Sequence, residues 1–412
     1  MSDHSTKPRM DKMSTSQRKT RILSPNKQGK KKHMNDDDDT LIDIKTHNEF
    51  SEEGSMSMDC ALYSYDPIEE VIKDNDEEIL SEVNTRLAIL PNDPKYVILW
   101  ELHKKQREAI WFPDEIDFSN DRHDFMKLIE TNDELSREHG KNVQHFIKMI
   151  LAFFAGADSI VNINIKKKLS KITIKEAEVA YAFQQMMENI HGEVYANMLI
   201  DIVSDPVERN ELINAFQHVD SIKKMIDWGK KWIESDRRIG FSLVAFAIFE
   251  GLMFSGAFAA IYWLKKIVGE SRMKGLMQSN NLIAKDEGMH TNFACAMYSF
   301  VKHRLTKEEF DALMIEAVDI SKNFVQDAIR VDMIGMSVEL MSAYLEYIAD
   351  RLCVFMGYDK IYNTQNPDAF QFMDTIGFSN KDNFFERRPT EYVKSYNSKN
   401  KADWKFKILD AY

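Results

Sequence analysis

Between Pro113 and Pro367 this 412-residue chain carries one proline, Pro206. Proline lacks a backbone N–H and clashes with the preceding helical turn, so long helices exclude it from their interiors, whereas strand-rich folds place Pro and Gly at frequent turns. A stretch of about 250 residues with a single proline therefore predicts a middle built of helices. Punctuation along that stretch agrees. Ser204-Asp205-Pro206, with Glu208 close behind, reads as an N-cap followed by a first-turn proline. Thr306-Lys307-Glu308-Glu309 reads as a capping box opening another helix. No internal repeat with a period of 20–50 residues interrupts the pattern.

Charge and composition divide the chain into three parts. Hydrophobic residues make up 44% and charged residues 29%, enough apolar material for a large core. The net charge of −12 argues against a nucleic-acid binder as a whole. The first 34 residues run against that balance, with ten Lys and Arg facing only Asp3 and Asp11. They continue into the acidic run Asp36–Asp39, and residues 1–85 are expected to form a disordered leader. Lys30-Lys31-Lys32 fits either a solvated basic tail or a targeting or polyanion-binding patch. Residues 86–377 are expected to fold, and the polar, helix-poor residues 378–412 to form a flexible tail. Three scattered cysteines, Cys60, Cys295 and Cys353, support neither a disulfide framework nor a Cys-based zinc site, and no apolar core of a secretory signal follows the basic start. These features point to a reducing, intracellular setting.

Ile239 to Leu264 holds a single charge, Glu250, in 26 residues, long enough to span a bilayer. A carboxylate near the middle of such a span is costly in hydrocarbon. The segment is therefore expected to be a central helix buried on all sides in a bundle, and no other segment is expected to be comparable.

Two copies of Glu-x-x-His stand in helical sequence, Glu188–His191 and Glu287–His290. Positions i and i+3 share one helix face, so each copy aims a carboxylate and an imidazole at one point. One copy is unremarkable on a solvated face. Two copies meet the requirement of carboxylate-rich two-metal bundles, which add one acid from each of two further helices. Asp158, behind Phe153-Phe154-Ala155-Gly156-Ala157, and Glu250 are candidates for those acids, because an unpaired buried carboxylate would otherwise cost several kcal/mol. The alternative for each acid alone is a protonated or hydrogen-bonded core group. Four acids and two histidines suit iron or manganese better than zinc or copper. Tyr195 lies four residues after His191 on the same stripe, within reach of oxidation by such a metal pair; the competing reading is a core aromatic. Phe254 and Phe258, at +4 and +8 from Glu250, are placed to wall the phenol from water.

From Arg86 to Tyr412 the sequence resembles the small, radical-generating subunit of class I ribonucleotide reductase, in its eukaryotic and large-DNA-virus branch. The resemblance is carried by Leu151-Ala152-Phe153-Phe154, Asp158, Met187-Glu188-Asn189-Ile190-His191, Glu193 and Tyr195. It continues through Val244-Ala245-Phe246-Ala247, Glu250-Gly251, Phe254-Ser255-Gly256, Asp286-Glu287-Gly288, His290 and Asn383-Phe384-Phe385-Glu386. The resemblance implies an all-α, ferritin-like helical bundle that forms a homodimer in the cytoplasm. It implies a di-iron centre held by Asp158, Glu188, His191, Glu250, Glu287 and His290, and assembled with dioxygen. Tyr195 would carry the tyrosyl radical, and Trp111, through Asp286 and His191, would relay electrons toward the metals. Tyr392 would pass the oxidising equivalent to the large subunit, with Phe406 to Tyr412 docking there, so that ribonucleotides are reduced to deoxyribonucleotides for DNA replication. No membrane and no direct nucleic-acid partner is implied. The chain departs from the family pattern at Lys285, where arginine is usual, and at its end, Leu409-Asp410-Ala411-Tyr412. Other ferritin-like two-metal oxidases share the paired Glu-x-x-His without needing Tyr195 or Tyr392, and a silent scaffold subunit would need none of the six ligands.

Overall fold

The structure, a computed structural model, describes residues 74–91, 93–269, 271–328, 336–371 and 373. Among them there is no β-strand. Four helical units carry the interior: α3 (Glu134–Lys167), α4 (Lys175–Ile202), the consecutive pair α7 (Ile239–Ile248) and α8 (Phe254–Val268), and α9 (Lys274–Tyr298). α1 (Val97–Glu108) and α2 (Asp121–Lys127) pack against both α4 and α9, α5 (Pro206–Ile213) packs on α3, and α6 (Asp220–Glu234) packs on α3 and α7. α10 (Lys307–Asn323) and α11 (Val338–Phe355) close over α8 and the turn that precedes it.

Helix ends follow the local chemistry. Asp133 caps α3 by accepting from Ser136 N at 2.8 Å, and Asp205 caps α5 by accepting from Val207 N, with Pro206 in the first turn. The box at Thr306 is complete: its hydroxyl accepts from Glu309 N, while Glu309 Oε2 accepts from Thr306 N. α9 is started from outside its own sequence. Met273 ahead of it has φ 51°, a left-handed conformation costly for a side chain with a Cβ. Two acids of α2 hold that start, Asp124 accepting from Met273 N, and the buried Asp121 accepting from Gly275 N at 3.0 Å and Leu276 N at 2.7 Å. Helix α9, which carries Asp286, Glu287 and His290, is thus fixed in axial position by the element that follows Trp111.

The apolar segment around Glu250 is buried but is not one regular helix. Residues Phe249–Met253 form a π-helical turn between α7 and α8. A wider turn adds one residue and rotates the side chains that follow, which is why such turns recur where a helix must aim a functional group. Gly251 within it lets α9 approach closely, since a Cβ there would lie 2.8 Å from Thr291 Cγ2. Among the described residues two helical stretches are long and apolar enough to cross a membrane, Ile239–Val268 and, contrary to expectation, Glu134–Lys171 as well. Within those windows 89% and 67% of residues are buried inside the protein, as core helices are.

Part of the stretch expected as leader is among the described residues. Residues 74–84 form three short 3-10 turns, and Ile79 is 1% exposed. The segment attaches through carboxylates as well as through Ile79. Asp74 accepts from Ile239 N at the start of α7, and Glu77 accepts from Lys302 N and His303 N beyond α9. Hydrophobic patterning cannot reveal attachment of this kind. The basic residues 1–34 and the tail 378–412 lie outside the described residues.

Asp350 on α11 shows the same device at full burial. It is 0% exposed and accepts from Ile361 N, Tyr362 N and Thr364 N, each at 2.9 Å. Asp350→Ala strands three backbone donors, so a loss of about 3 kcal/mol or more is expected in chemical denaturation.

Candidate metal centre

Six polar side chains converge in the middle of the four-helix core. Asp158 comes from α3, Glu188 and His191 from α4, Glu250 from the π turn, and Glu287 and His290 from α9, and each is no more than 3% exposed. Their donor atoms fall into two overlapping groups, each within 4.8 Å: Asp158, Glu188 and His191, and Glu188, Glu250, Glu287 and His290. Glu188 belongs to both. His290 Nδ1 lies 3.0 Å from Glu188 Oε1 and 3.1 Å from Glu287 Oε2, and His191 Nδ1 lies 3.1 Å from Glu287 Oε1.

This packing is uncomfortable for protein atoms alone. Both oxygens of Asp158, Glu188 Oε2, Glu250 Oε2, Glu287 Oε1 and His191 Nδ1 are buried without a hydrogen-bond partner among the described residues. Burial, then the charges of neighbouring acids, pushes Asp158 and Glu250 well above the carboxylate range. For Glu287 burial acts the same way, but the neighbouring Glu250, His191 and His290 outweigh it and hold the group ionised. Burial opposes charge on both imidazoles too, yet the surrounding acids raise both. Protons thus do the work of cations here. Two divalent ions would offset the four negative charges of the acids and satisfy the unpartnered oxygens, so the donor set fits a two-metal group and, being oxygen-rich, favours iron or manganese.

A second layer orients the first. His191 Nε2 lies 3.1 Å from Asp286 Oδ2, which also accepts from Trp111 Nε1 at 2.7 Å. A proton on Nε2 directed at Asp286 leaves Nδ1 free to face the acids. The Trp111 and His191 rings run nearly parallel, with centroids 5.9 Å apart and an interplanar angle of 15°. All three predicted members of the relay are therefore in contact.

Tyr195, 4% exposed, lies one turn beyond His191 with its hydroxyl unpartnered among the described residues. Burial, then the charge of Asp158, raises its pKa well above the usual value and keeps the phenol protonated. Phe154 stacks on it at 4.7 Å and 10°. Phe258 and Phe254 pack on Phe154, at 5.1 and 5.8 Å, so the predicted wall is layered, with Phe154 as the ring contact to the phenol.

A family profile described as "Ribonucleotide reductase, small chain" matches residues 88–367. The chain belongs to that family. Among its relatives, the ribonucleoside-diphosphate reductase small chain of Yaba-like disease virus is 41% identical over 334 residues, covering 81% of this chain and 97% of that one. That of Acanthamoeba polyphaga mimivirus is 43% identical over 317 residues, covering 77% and 72%. The solved ribonucleotide reductase Rnr4 homodimer from Saccharomyces cerevisiae superposes with a TM-score of 0.63 at 29% identity, covering 79% of this chain and 94% of that one. The chain is thus the small subunit of a ribonucleotide reductase, an oxidoreductase, on a ferritin-like helical fold.

Of the small subunit's predicted site residues, only Tyr392 lies outside the described residues. Sequence reasoning missed Gln184, one turn before Glu188. Its Nε2 donates to Glu188 Oε1 at 3.2 Å and to Glu250 Oε1 at 3.1 Å, tying α4 to the π turn. The i−4 spacing from Glu188 was the available signal. Gln184→Leu is expected to weaken ferrous binding about tenfold or more in a calorimetric titration, with the saturating metal count unchanged.

Proposed function

We propose that this small subunit holds two iron ions on Asp158, Glu188, His191, Glu250, Glu287 and His290, and keeps an oxidised Tyr195 as its working radical. The observation that carries this reading is one helical stripe, Glu188, His191 and Tyr195, that joins the acid–imidazole cluster to a sealed phenol. Bound there and treated with dioxygen, the iron pair would supply the oxidising power that takes one electron from Tyr195.

The protein's own groups manage the rest. Asp158, the acid whose charge bears most on the phenol, is the candidate base for its proton, and both its oxygens lack a donor among the described residues. Phe154, backed by Phe254 and Phe258, keeps water and small reductants off the ring. Trp111, Asp286 and His191 form the hydrogen-bonded route by which electrons enter from the α1 side. In this reading Tyr392 carries the oxidising equivalent onward, and residues Phe406 to Tyr412 dock as a few aromatic anchors on a large subunit that binds ribonucleotides. The working form is a homodimer in the cytoplasm.

Ferrous iron and oxygen added to metal-free protein, followed by low-temperature EPR and iron analysis, test the reading. The expected result is about two irons per chain and a tyrosyl doublet. Iron uptake with no doublet points to a non-radical oxidase, and preferential manganese loading overturns the metal assignment.

A further inference from the structure

One of the two donor groups joins acids from different helices, Glu250 just after α7 with Glu287 and His290 on α9. Their meeting depends on how far α7 is advanced along α9. Asp121 and Asp124 grip the start of α9, but α7 has no side-chain cap from its own cap residue, Arg238. Its cap comes from a distant part of the chain. Ile239 N donates to both oxygens of Asp74 at 3.0 Å. Three residues on, Glu77, 2% exposed, accepts from Lys302 N at 2.9 Å and His303 N at 2.7 Å, just beyond α9. One short segment thus ties the start of α7 to the end of α9.

The two ends also meet directly. A Cβ on Gly240, in the first turn of α7, would lie 3.4 Å from His303 O, and Arg238 Nε donates to that carbonyl at 3.2 Å. The segment reaches a third ligand-bearing helix as well, since Thr173 N, ahead of α4, donates to Ile79 O at 2.9 Å. Glu250 lies eleven residues beyond Ile239, and His290 twelve before Lys302. That is about 16 to 18 Å of helix. A helix carries an axial shift over such a length, and a ligand set tolerates a misplacement of only about 0.5 Å. We propose that residues 74–81 form a brace for the metal centre, with Asp74 and Glu77 as positioning residues that set α7 against α9. The attachment is light, because among the brace's described side chains only Glu77 and Ile79 are buried. Such a segment opens more readily than the core. Its opening loosens the metal, and by linkage the metal holds it closed.

The inference rests on the metal-site reading above, and its test separates the two. Hydrogen-exchange mass spectrometry of the full-length wild type, with and without ferrous iron under nitrogen, needs no variant. Exchange in the peptide spanning residues 299–305 is expected to slow about tenfold on ferrous loading. In calorimetric titration, Glu77→Ala is expected to raise the ferrous dissociation constant about tenfold. Asp350→Ala is the control: it strands three backbone donors on α11, which carries no candidate ligand, and should lower the melting temperature with ferrous affinity unchanged. An affinity that falls equally in both variants follows stability alone and overturns the brace. So does wild-type protein that binds ferrous iron with exchange at 299–305 unaltered, and there the metal-site reading stands. Wild type that takes up no metal ends that reading and the brace with it.

Discussion

On the proposed reading, Tyr195→Phe is expected to take up iron and fold as well as the parent but to lose both the tyrosyl doublet and holoenzyme turnover, by about a thousandfold or more. The substitution removes one oxygen that is buried and has no hydrogen-bond partner among the described residues. A buried hydroxyl without a partner contributes nothing to hold the fold, so deletion should leave stability within about 1 kcal/mol of the parent. The ring remains and can keep its stack on Phe154 at 4.7 Å. None of the six metal donors is touched. A fall in activity therefore cannot be assigned to unfolding or lost metal, and unchanged melting temperature and iron count serve as the internal controls. Retention of turnover by the phenylalanine variant would remove Tyr195 from the chemistry altogether.

The second large effect has opposite signs with and without metal. Glu250→Gln should leave the metal-free protein at least as thermostable as the parent, yet abolish the stabilisation that iron confers. In the metal-free core Glu250 is penalised by burial first, then by the charges of Glu287 and Glu188. An amide of the same shape is neutral without first taking up a proton, and still presents an oxygen to Gln184 Nε2, 3.1 Å away. With iron present the balance reverses, because an amide neutralises no charge and coordinates weakly. A ligand bound only by the folded state stabilises it by about 2.7 kcal/mol at a hundred times its dissociation constant. The parent's melting temperature should rise with ferrous iron and the variant's should barely move. A variant that still binds two irons tightly would remove Glu250 from the ligand set.

The candidate ligand residues were legible because each is an anomaly in sequence. Glu250 alone breaks a run of apolar residues, and Asp158 follows two adjacent phenylalanines. The i, i+3 spacing of Glu188 with His191 and of Glu287 with His290 fixes their shared faces before any tertiary contact exists. Gln184 was not legible in the same way, since a glutamine in a helix is ordinary until its two acceptors are known. Phe154 was hidden by company: α3 offers adjacent rings at 153 and 154, and only the rotation of α3 against α4 selects which one stacks on Tyr195. The ordered segment from Asp74 escaped notice because it is tied down by carboxylates accepting from backbone N–H groups, with little apolar patterning to read.

Periodicity, proline placement and residue chemistry, all local properties, determined that this chain is helical, that one face of each central helix is acidic or imidazole-bearing, and that those faces suit a cation. Convergence was decided elsewhere. The π turn at Phe249–Met253 sets where Glu250 points, the grip of Asp121 and Asp124 sets the start of α9, and Met273 accepts a left-handed backbone to allow it. Those choices depend on free energies shared between residues some 150 positions apart, as Asp121 and Gly275 are, and no sequence window contains both partners.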